Sequence, residues 1–337
     1  MNSPSFPSPL VHRHSPRPSV GLLRQVPLLL ALAVTTLGSS ARVDADEVVR
    51  VMSFNMWVGG DASRQPFERT VEVVRAAKAD IVGLQETGGL APQDQPRPDH
   101  ARRLAEALGW SYHEQGSSTG MARIGIISRY PITGSVGKPA IGSTVSLPSG
   151  RTVDVFNIHM AHAPYQPYQL LNIPYAGAPF LKTAEEAVAS ANEARRAQVN
   201  EVLQALKSSK SSQQFITGDF NEPSYLDWTE EAVQALHHPL VVEWPATKAF
   251  AEAGFRDSYR VLFPDPVKHP GFTWTTLTKR DNPKDHHDRI DFVLSHGPAT
   301  IKATEIVGDS QESADIVVTP YPSDHRAVVS TFVLEGK

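Results

Sequence analysis

Six short polar segments, each closing a run that reads as a β-strand, carry the side chains best suited to chemistry: Ser53-Phe54-Asn55, Gln85-Glu86, Asn157-Ile158-His159, Gly218-Asp219-Phe220-Asn221, Arg289-Ile290-Asp291 and Ser323-Asp324-His325. Their carboxylates and carboxamides are hard oxygen ligands, and their imidazoles carry protons near neutrality. Metal-assisted attack of water on a phosphate ester needs both. Taken singly, an Asp or Asn after a strand is a turn former, and His325 before an apolar strand is an ordinary surface histidine. A purely structural sheet has no use for the whole set.

The elements that must position these residues come in mixed order. Val48–Asn55 and Ile81–Glu86 read as strands on either side of an amphipathic helix over Pro66–Ala79. Ala101–Leu108 reads as a helix stopped by Gly109. Arg123–Ser128, Ile132–Val136, Ser143–Leu147 and Thr152–His159 read as strands whose short Gly/Pro/Ser turns imply antiparallel pairing. A Pro- and Tyr-rich stretch, Tyr165–Phe180, precedes a long helix from Thr183 to Ser208. Beyond it, Gln214–Asp219, Phe272–Thr275, Ile290–Ser295, Ile301–Val307 and Ala327–Val333 read as strands, with helical pieces over Thr229–Leu236 and Thr247–Ala253. No repeat, low-complexity tract or Gly/Ser linker divides this run, so one domain is expected over 46–337. Its class is α/β, a four-layer sandwich of two mixed sheets packed face to face with helices outside. The polar segments would gather at one edge, with Asp219 and Asn221, two apart, pointing the same way.

The chain has 337 residues, 40% hydrophobic and 20% charged, which provides a sizeable core. Arg13, Arg17 and Arg24 precede an apolar run, Pro27–Gly38, and Val43-Asp44-Ala45 resembles a small-x-small cleavage site, so residues 1–45 read as a signal peptide. The run is shorter than the roughly 20 residues a membrane-spanning helix needs. Cleavage after Ala45 leaves 28 basic against 35 acidic residues, a formal charge of −7. An acidic body argues against a strong non-specific grip on nucleic acid, which works through Lys/Arg patches. The absence of cysteine excludes a disulfide framework, thiol chemistry and thiolate-bound zinc.

In this order the six segments resemble the endonuclease/exonuclease/phosphatase superfamily of DNase I-like metal-dependent phosphoesterases. The resemblance spans about Val48 to Leu334, and Phe272-Thr273-Trp274, about 17 residues before Asp291, adds to it. It implies Glu86 as the principal metal carboxylate, with Asn55 beside it and Asp324 facing the metal or a bridging water. Such ligands suit Mg²⁺, with Mn²⁺ or Ca²⁺ as alternatives. It further implies that Asp219 positions or deprotonates the attacking water and that Asn221 holds a phosphate oxygen. His325 would transfer protons with Asp291 orienting its ring, and His159 would donate to a phosphoryl oxygen. Trp57, Arg123, Tyr165 and Trp274 are expected to line the substrate cleft. Arg195 and Gln198, at i and i+3 of the long helix, fit the family's spacing and equally a solvated or sheet-capping face. His162, His286 and His287 are placed away from the centre.

The expected activity is that of an exported, secreted or periplasmic, monomeric hydrolase acting on a small phosphodiester or phosphomonoester or on nucleic acid. A sphingomyelinase-like action on lipid head groups is the alternative, suggested by the aromatic stretch Tyr165, Tyr168, Tyr175 and Phe180. The same stretch also reads as a lid or packed loop. The candidates for gripping a polyphosphate are Arg123 and Lys279-Arg280. An alternative of another class is a non-catalytic binding module on the same fold, although such modules usually lose a ligand or the base, and none is missing here.

Overall fold

Strand alternation decides which side chains meet. In β1 (Glu47–Asn55) Val49 and Val51 point to one face while Met52 and Phe54 point to the other. In β2 (Ile81–Gln85) Ile81 shares the first face, and Val82 and Leu84 the second. A computed structural model describes residues 46–115, 123–138 and 140–336; the expected leader over 1–45 lies outside them. Within these residues the remaining strands are β3 (Ser111–Gln115), β4 (Ile124–Ser128), β5 (Ile132–Val136), β6 (Gly142–Ser146), β7 (Thr152–His159), β8 (Gln213–Asp219), β9 (Arg256–Asp257), β10 (Asp291–His296), β11 (Thr300–Gly308), β12 (Ile316–Val317) and β13 (Ala327–Leu334).

They form two mixed sheets, ordered β12-β11-β13-β1-β2-β4-β3 and β5-β6-β7-β8-β10-β9. The inward faces meet in one core, where Val49, Val51, Ile81 and Ile126 pack with Val153, Val155, Phe215 and Val293. Helices α1 (Glu68–Ala76) and α2 (His100–Leu108) cover the outside of the first sheet through Val73, Val74, Ala101 and Leu104. Helices α4 (Ala184–Leu206) and α6 (Pro245–Glu252) cover the second through Val199, Val202, Ala246 and Phe250. This is the four-layer α/β sandwich expected. Helix α4 begins at a complete capping box between Thr183 and Glu186. A one-turn helix, α3 (Gln166–Leu170), sits inside the Tyr165–Phe180 stretch, short helices α5 (Glu230–Gln234) and α7 (Ser258–Leu262) complete the α-helices, and a 3₁₀ helix spans Val58–Ser63.

Two local expectations differ from the structure. Phe272–Thr275 is a strap rather than a strand. Its β-branched and aromatic residues suit a sheet, yet only Trp274 bridges on both sides, to Asp288 and to His325. The short elements β3, β9, β12 and α7 escape the hydrophobic pattern because they carry too few apolar residues to show a period.

Toward one end of the strands the inward face turns polar while keeping its phase. Asn157 of β7 reaches across to the other sheet, donating to the carbonyls of Leu84 at 2.8 Å and Gly125 at 3.0 Å. Its Oδ1 accepts from Gln85 Nε2 at 2.5 Å and Thr217 Oγ1 at 3.2 Å. The sheets approach so closely here that a Cβ on Gly83 would stand 1.9 Å from Thr217 Oγ1. Asn157→Leu should strand two carbonyls and a buried amide, lowering stability by about 3 kcal/mol or more. Urea unfolding checks this, and a midpoint equal to wild type would refute it.

Candidate active site

Register aligns the polar strand ends. Parallel pairing of β7 with β8 sets His159 opposite Asp219, antiparallel pairing of β8 with β10 sets Asp219 opposite Asp291, and β1 with β2 sets Asn55 opposite Gln85. Asp219 Oδ2 lies at the centre. Asn55 Nδ2 donates to it at 2.9 Å, His159 Nε2 stands 3.5 Å away and His325 Nε2 3.8 Å away. His325 Nδ1 is held at 2.9 Å by Asp291 Oδ2, which fixes the ring and aims Nε2 at Asp219. Burial alone would lower the His325 pKa, but Asp291, Asp219 and Asp324 overcome it and hold the imidazole well above its ordinary value. Trp274 leans on the same ring, centroids 4.9 Å apart.

Turns with positive φ at Trp57, Val58 and Asn221 aim backbone N–H groups at the side chains of this site. Val58 N–H donates to Glu86 Oε2 at 3.1 Å, and Asn221 N–H to Asp219 Oδ1 at 2.8 Å. Asn221 Nδ2 reaches the carbonyl of Met160 at 3.2 Å. Glu86 Oε1 lies 3.9 Å from His159 Nε2. Burial pushes Asp324 up to about 7, and its Oδ1 is buried without a hydrogen-bond partner. A carboxylate in that position calls for a cation, so Glu86 and Asp324 fit a divalent metal.

Asn55 differs from its expected part. Its Oδ1 accepts the Trp57 N–H at 2.9 Å and its amide nitrogen faces Glu86 at 3.3 Å and Asp219, so it ties two carboxylates together rather than presenting a ligand oxygen. Tyr165 is a second correction: it does not line the cleft. It is buried, and its hydroxyl donates to Asp288 at 2.7 Å. Tyr168 is buried too, bonded to Asp285 and taking the Trp274 indole N–H at 3.0 Å. Of the aromatic side chains in that stretch, only Tyr175 and Phe180 are exposed. The Arg123 guanidinium is engaged by Glu114 at 3.2 Å and Asp99 at 3.7 Å. Trp57 is half-buried beside Asn55.

Several neighbours escaped the reading of the sequence. Thr273 Oγ1 accepts the N–H groups of Ile290 and Asp291, and Ser323 Oγ donates to the carbonyl of Asn55 at 2.7 Å. Both lie inside segments singled out for other residues. Arg289 runs away from the site, buried against Asp227 at 2.9 Å and Asp257 at 2.8 Å.

The fold and this constellation define a class, metal-dependent hydrolases of phosphoester bonds. The chain belongs to the Endonuclease/Exonuclease/phosphatase family, whose model matches residues 52–325. It is 28% identical over 327 residues to an uncharacterized protein of Caenorhabditis elegans, F14F9.5, covering 90% of this chain and 98% of that one. An endonuclease/exonuclease/phosphatase from Beutenbergia cavernae shares the fold with a TM-score of 0.52 at 20% identity, over 86% of this chain and 72% of that one. An AP endonuclease from Archaeoglobus fulgidus shares it at 0.50 and 17%, over 84% and 98%.

Arg195 and Gln198 brace the segment that leaves β7. Buried Arg195 donates to Gln166 Oε1 at 2.7 Å and the Pro164 carbonyl at 2.9 Å, and Gln198 Oε1 accepts the Ala161 N–H at 2.9 Å. The solvated face that was an alternative for Arg195 is therefore excluded. Glu222, 3.8 Å from Arg195, is fully buried, and burial outweighs the arginine to push its carboxyl from 4.5 up to about 7. A raised carboxyl holds its proton more tightly in the folded chain, so its contribution to stability is complete below about pH 4.5 and is lost as pH rises through about 7. Glu222→Gln should remove that part of the decline. Unfolding free energies of both proteins at about pH 5 and pH 8 test it, and parallel declines would refute it.

Proposed function

We propose that the protein is an exported, Mg²⁺-dependent phosphoesterase that cleaves a small phosphodiester or phosphomonoester by in-line attack of water. The observation that carries this reading is the pair of imidazoles, His159 and His325, converging on one Asp219 oxygen while Asp291 fixes the second ring. In it, Asp219 orients the attacking water, whose proton passes to the Asp219–His325 pair on the side of phosphorus opposite the leaving oxygen. His159 and Asn221 donate to the phosphoryl oxygens, whose charge grows in the transition state. Glu86 and Asp324 would hold the divalent ion, which supplies Lewis-acid polarisation of the phosphate when bound.

Charge supports a small substrate over a polyanion. The chain is acidic, Arg123 is already paired, and Lys279 and Arg280 line a neighbouring cleft of about 780 Å³ that also holds Asp281, Asp309, Glu312 and Asp315. The lipid reading loses two of its four aromatic side chains with the burial of Tyr165 and Tyr168.

The test is hydrolysis of bis-p-nitrophenyl phosphate, p-nitrophenyl phosphate, plasmid DNA and sphingomyelin vesicles, in EDTA and with Mg²⁺, Mn²⁺ or Ca²⁺. We expect cleavage of the small esters that EDTA abolishes, with kcat reduced about 10²-fold or more in His325→Ala and Asp291→Asn. Preferred cleavage of DNA or vesicles would replace the substrate class, and full activity in His325→Ala would overturn the mechanism. Export is supported by the basic, apolar and small-residue order of residues 1–45. The secreted or periplasmic protein should show an intact mass beginning at Asp46; recovery of the full chain from the cytoplasm alone would overturn it.

A further inference from the structure

Behind the wall that Trp274 gives the site, His238, His286 and Asp288 converge. His238 comes from the connection between α5 and α6, the other two from the run Asp285-His286-His287-Asp288. His238 Nδ1 and His286 Nε2 are 3.1 Å apart, and they lie 3.8 and 3.7 Å respectively from Asp288 Oδ1. A hydrogen bond between the two rings accounts for the first distance. It leaves the other two unexplained, since both are too long for hydrogen bonds. The nearest point equidistant from all three atoms lies in their plane about 2.1 Å from each, so an ion raised slightly out of that plane toward a fourth ligand stands close to the bond lengths of Zn²⁺ to imidazole nitrogen and carboxylate oxygen.

The supporting contacts are those a metal site needs. Trp228 stacks on His238 with centroids 4.4 Å apart, and its indole N–H donates to Asp288 Oδ1 at 2.9 Å, while Tyr165 holds Oδ2. Each of these two ligands is therefore fixed by a neighbour before any ion arrives. Asp288 is buried and His238 nearly so, while the His286 side chain keeps 14% exposure, giving an ion a way in.

We infer that His238, His286 and Asp288 form a second metal site, selective for a transition ion of the Zn²⁺ class and separate from the catalytic carboxylates. Two imidazoles and one carboxylate give Zn²⁺ three ligands and leave its fourth tetrahedral position to a solvent oxygen. Mg²⁺, which demands six oxygens in octahedral array, is refused. The two sites thus sort their ions by ligand type. The ion's role is positional: the Asp288 backbone pairs with Trp274, whose other side pairs with His325, so cross-linking residues 238 and 286–288 stiffens the wall of the site.

The experiment uses the full chain carrying Glu86→Gln and His325→Ala, which disables the catalytic centre as a competing zinc site. After Zn²⁺ loading and gel filtration, elemental analysis should find about one equivalent per chain, falling to about a tenth or less when His286→Ala or His286→Gln is added. Co²⁺ in place of Zn²⁺ should give the intense visible bands of a tetrahedral ion in the first protein and none in the others. Circular dichroism confirms that each variant is folded, and the partial exposure of His286 makes its replacement the mildest of the three. No retained zinc in the parent, retention that both His286 variants leave unchanged, or a weak octahedral Co²⁺ spectrum would each overturn the inference. Because the catalytic centre is disabled throughout, the outcome is independent of the proposed activity.

Discussion

Everything at the catalytic edge depends on how closely two sheets approach where their inner faces turn from apolar to polar. A polar seam between sheets costs several kcal/mol unless every group is paired. Asn157 meets that cost by donating to two backbone carbonyls of the opposite sheet while accepting from Gln85 and Thr217. Gly83 leaves room for it, since a Cβ there would fall inside van der Waals contact of Thr217 and Asn157. With the seam closed, Asn55 and Glu86 on one sheet come within reach of Asp219 and His159 on the other.

The next constraint is electrostatic. Glu86, Asp219, Asp291 and Asp324 stand close together, and all but Glu86 are buried. Such a cluster persists because each carboxylate has compensation at hand. Backbone N–H groups from left-handed turns serve Glu86 and Asp219, the His325 ring serves Asp291, and Asp324 keeps an oxygen free for a cation. The N–H groups concerned belong to Val58 and Asn221, and both sit in turns of positive φ, at Trp57 and Val58 on one side and at Asn221 on the other. Buried Arg289, between Asp227 and Asp257, and Arg195, beside Glu222, do the same work for the scaffold, holding the segments that follow and precede the catalytic strands.

Phase along a strand is written in the sequence. Val49, Val51, Ser53 and Asn55 alternate with Met52 and Phe54, and Val153, Val155, Asn157 and His159 alternate with Phe156 and Ile158, so the polar ends were legible as continuations of a core-facing stripe. For that reason the four layers and the candidate residues could be named in advance. The division of labour within a segment was not legible. Asn157 and His159 share a face and differ only in how far along it they sit, yet one clamps the sheets and the other faces Asp219. Gln85 and Glu86 divide in the same way. The aromatic stretch misled because Tyr165 and Tyr168 look alike exposed or buried until Asp288 and Asp285 appear as partners for their hydroxyls.

The sequence by itself determined the class of fold, the chemistry available at the strand ends and the family, because periodicity and residue type are local properties of a chain. Tertiary structure alone decided which polar groups meet. The closing of Asp291 on His325, the turn of Asn55 toward Asp219 and the convergence of His238 on His286 and Asp288 link residues 34, 164, 48 and 50 positions apart. Those distances depend on strand order, register and the separation of two sheets, which are set by the packing of the whole core and have no signature in any one segment.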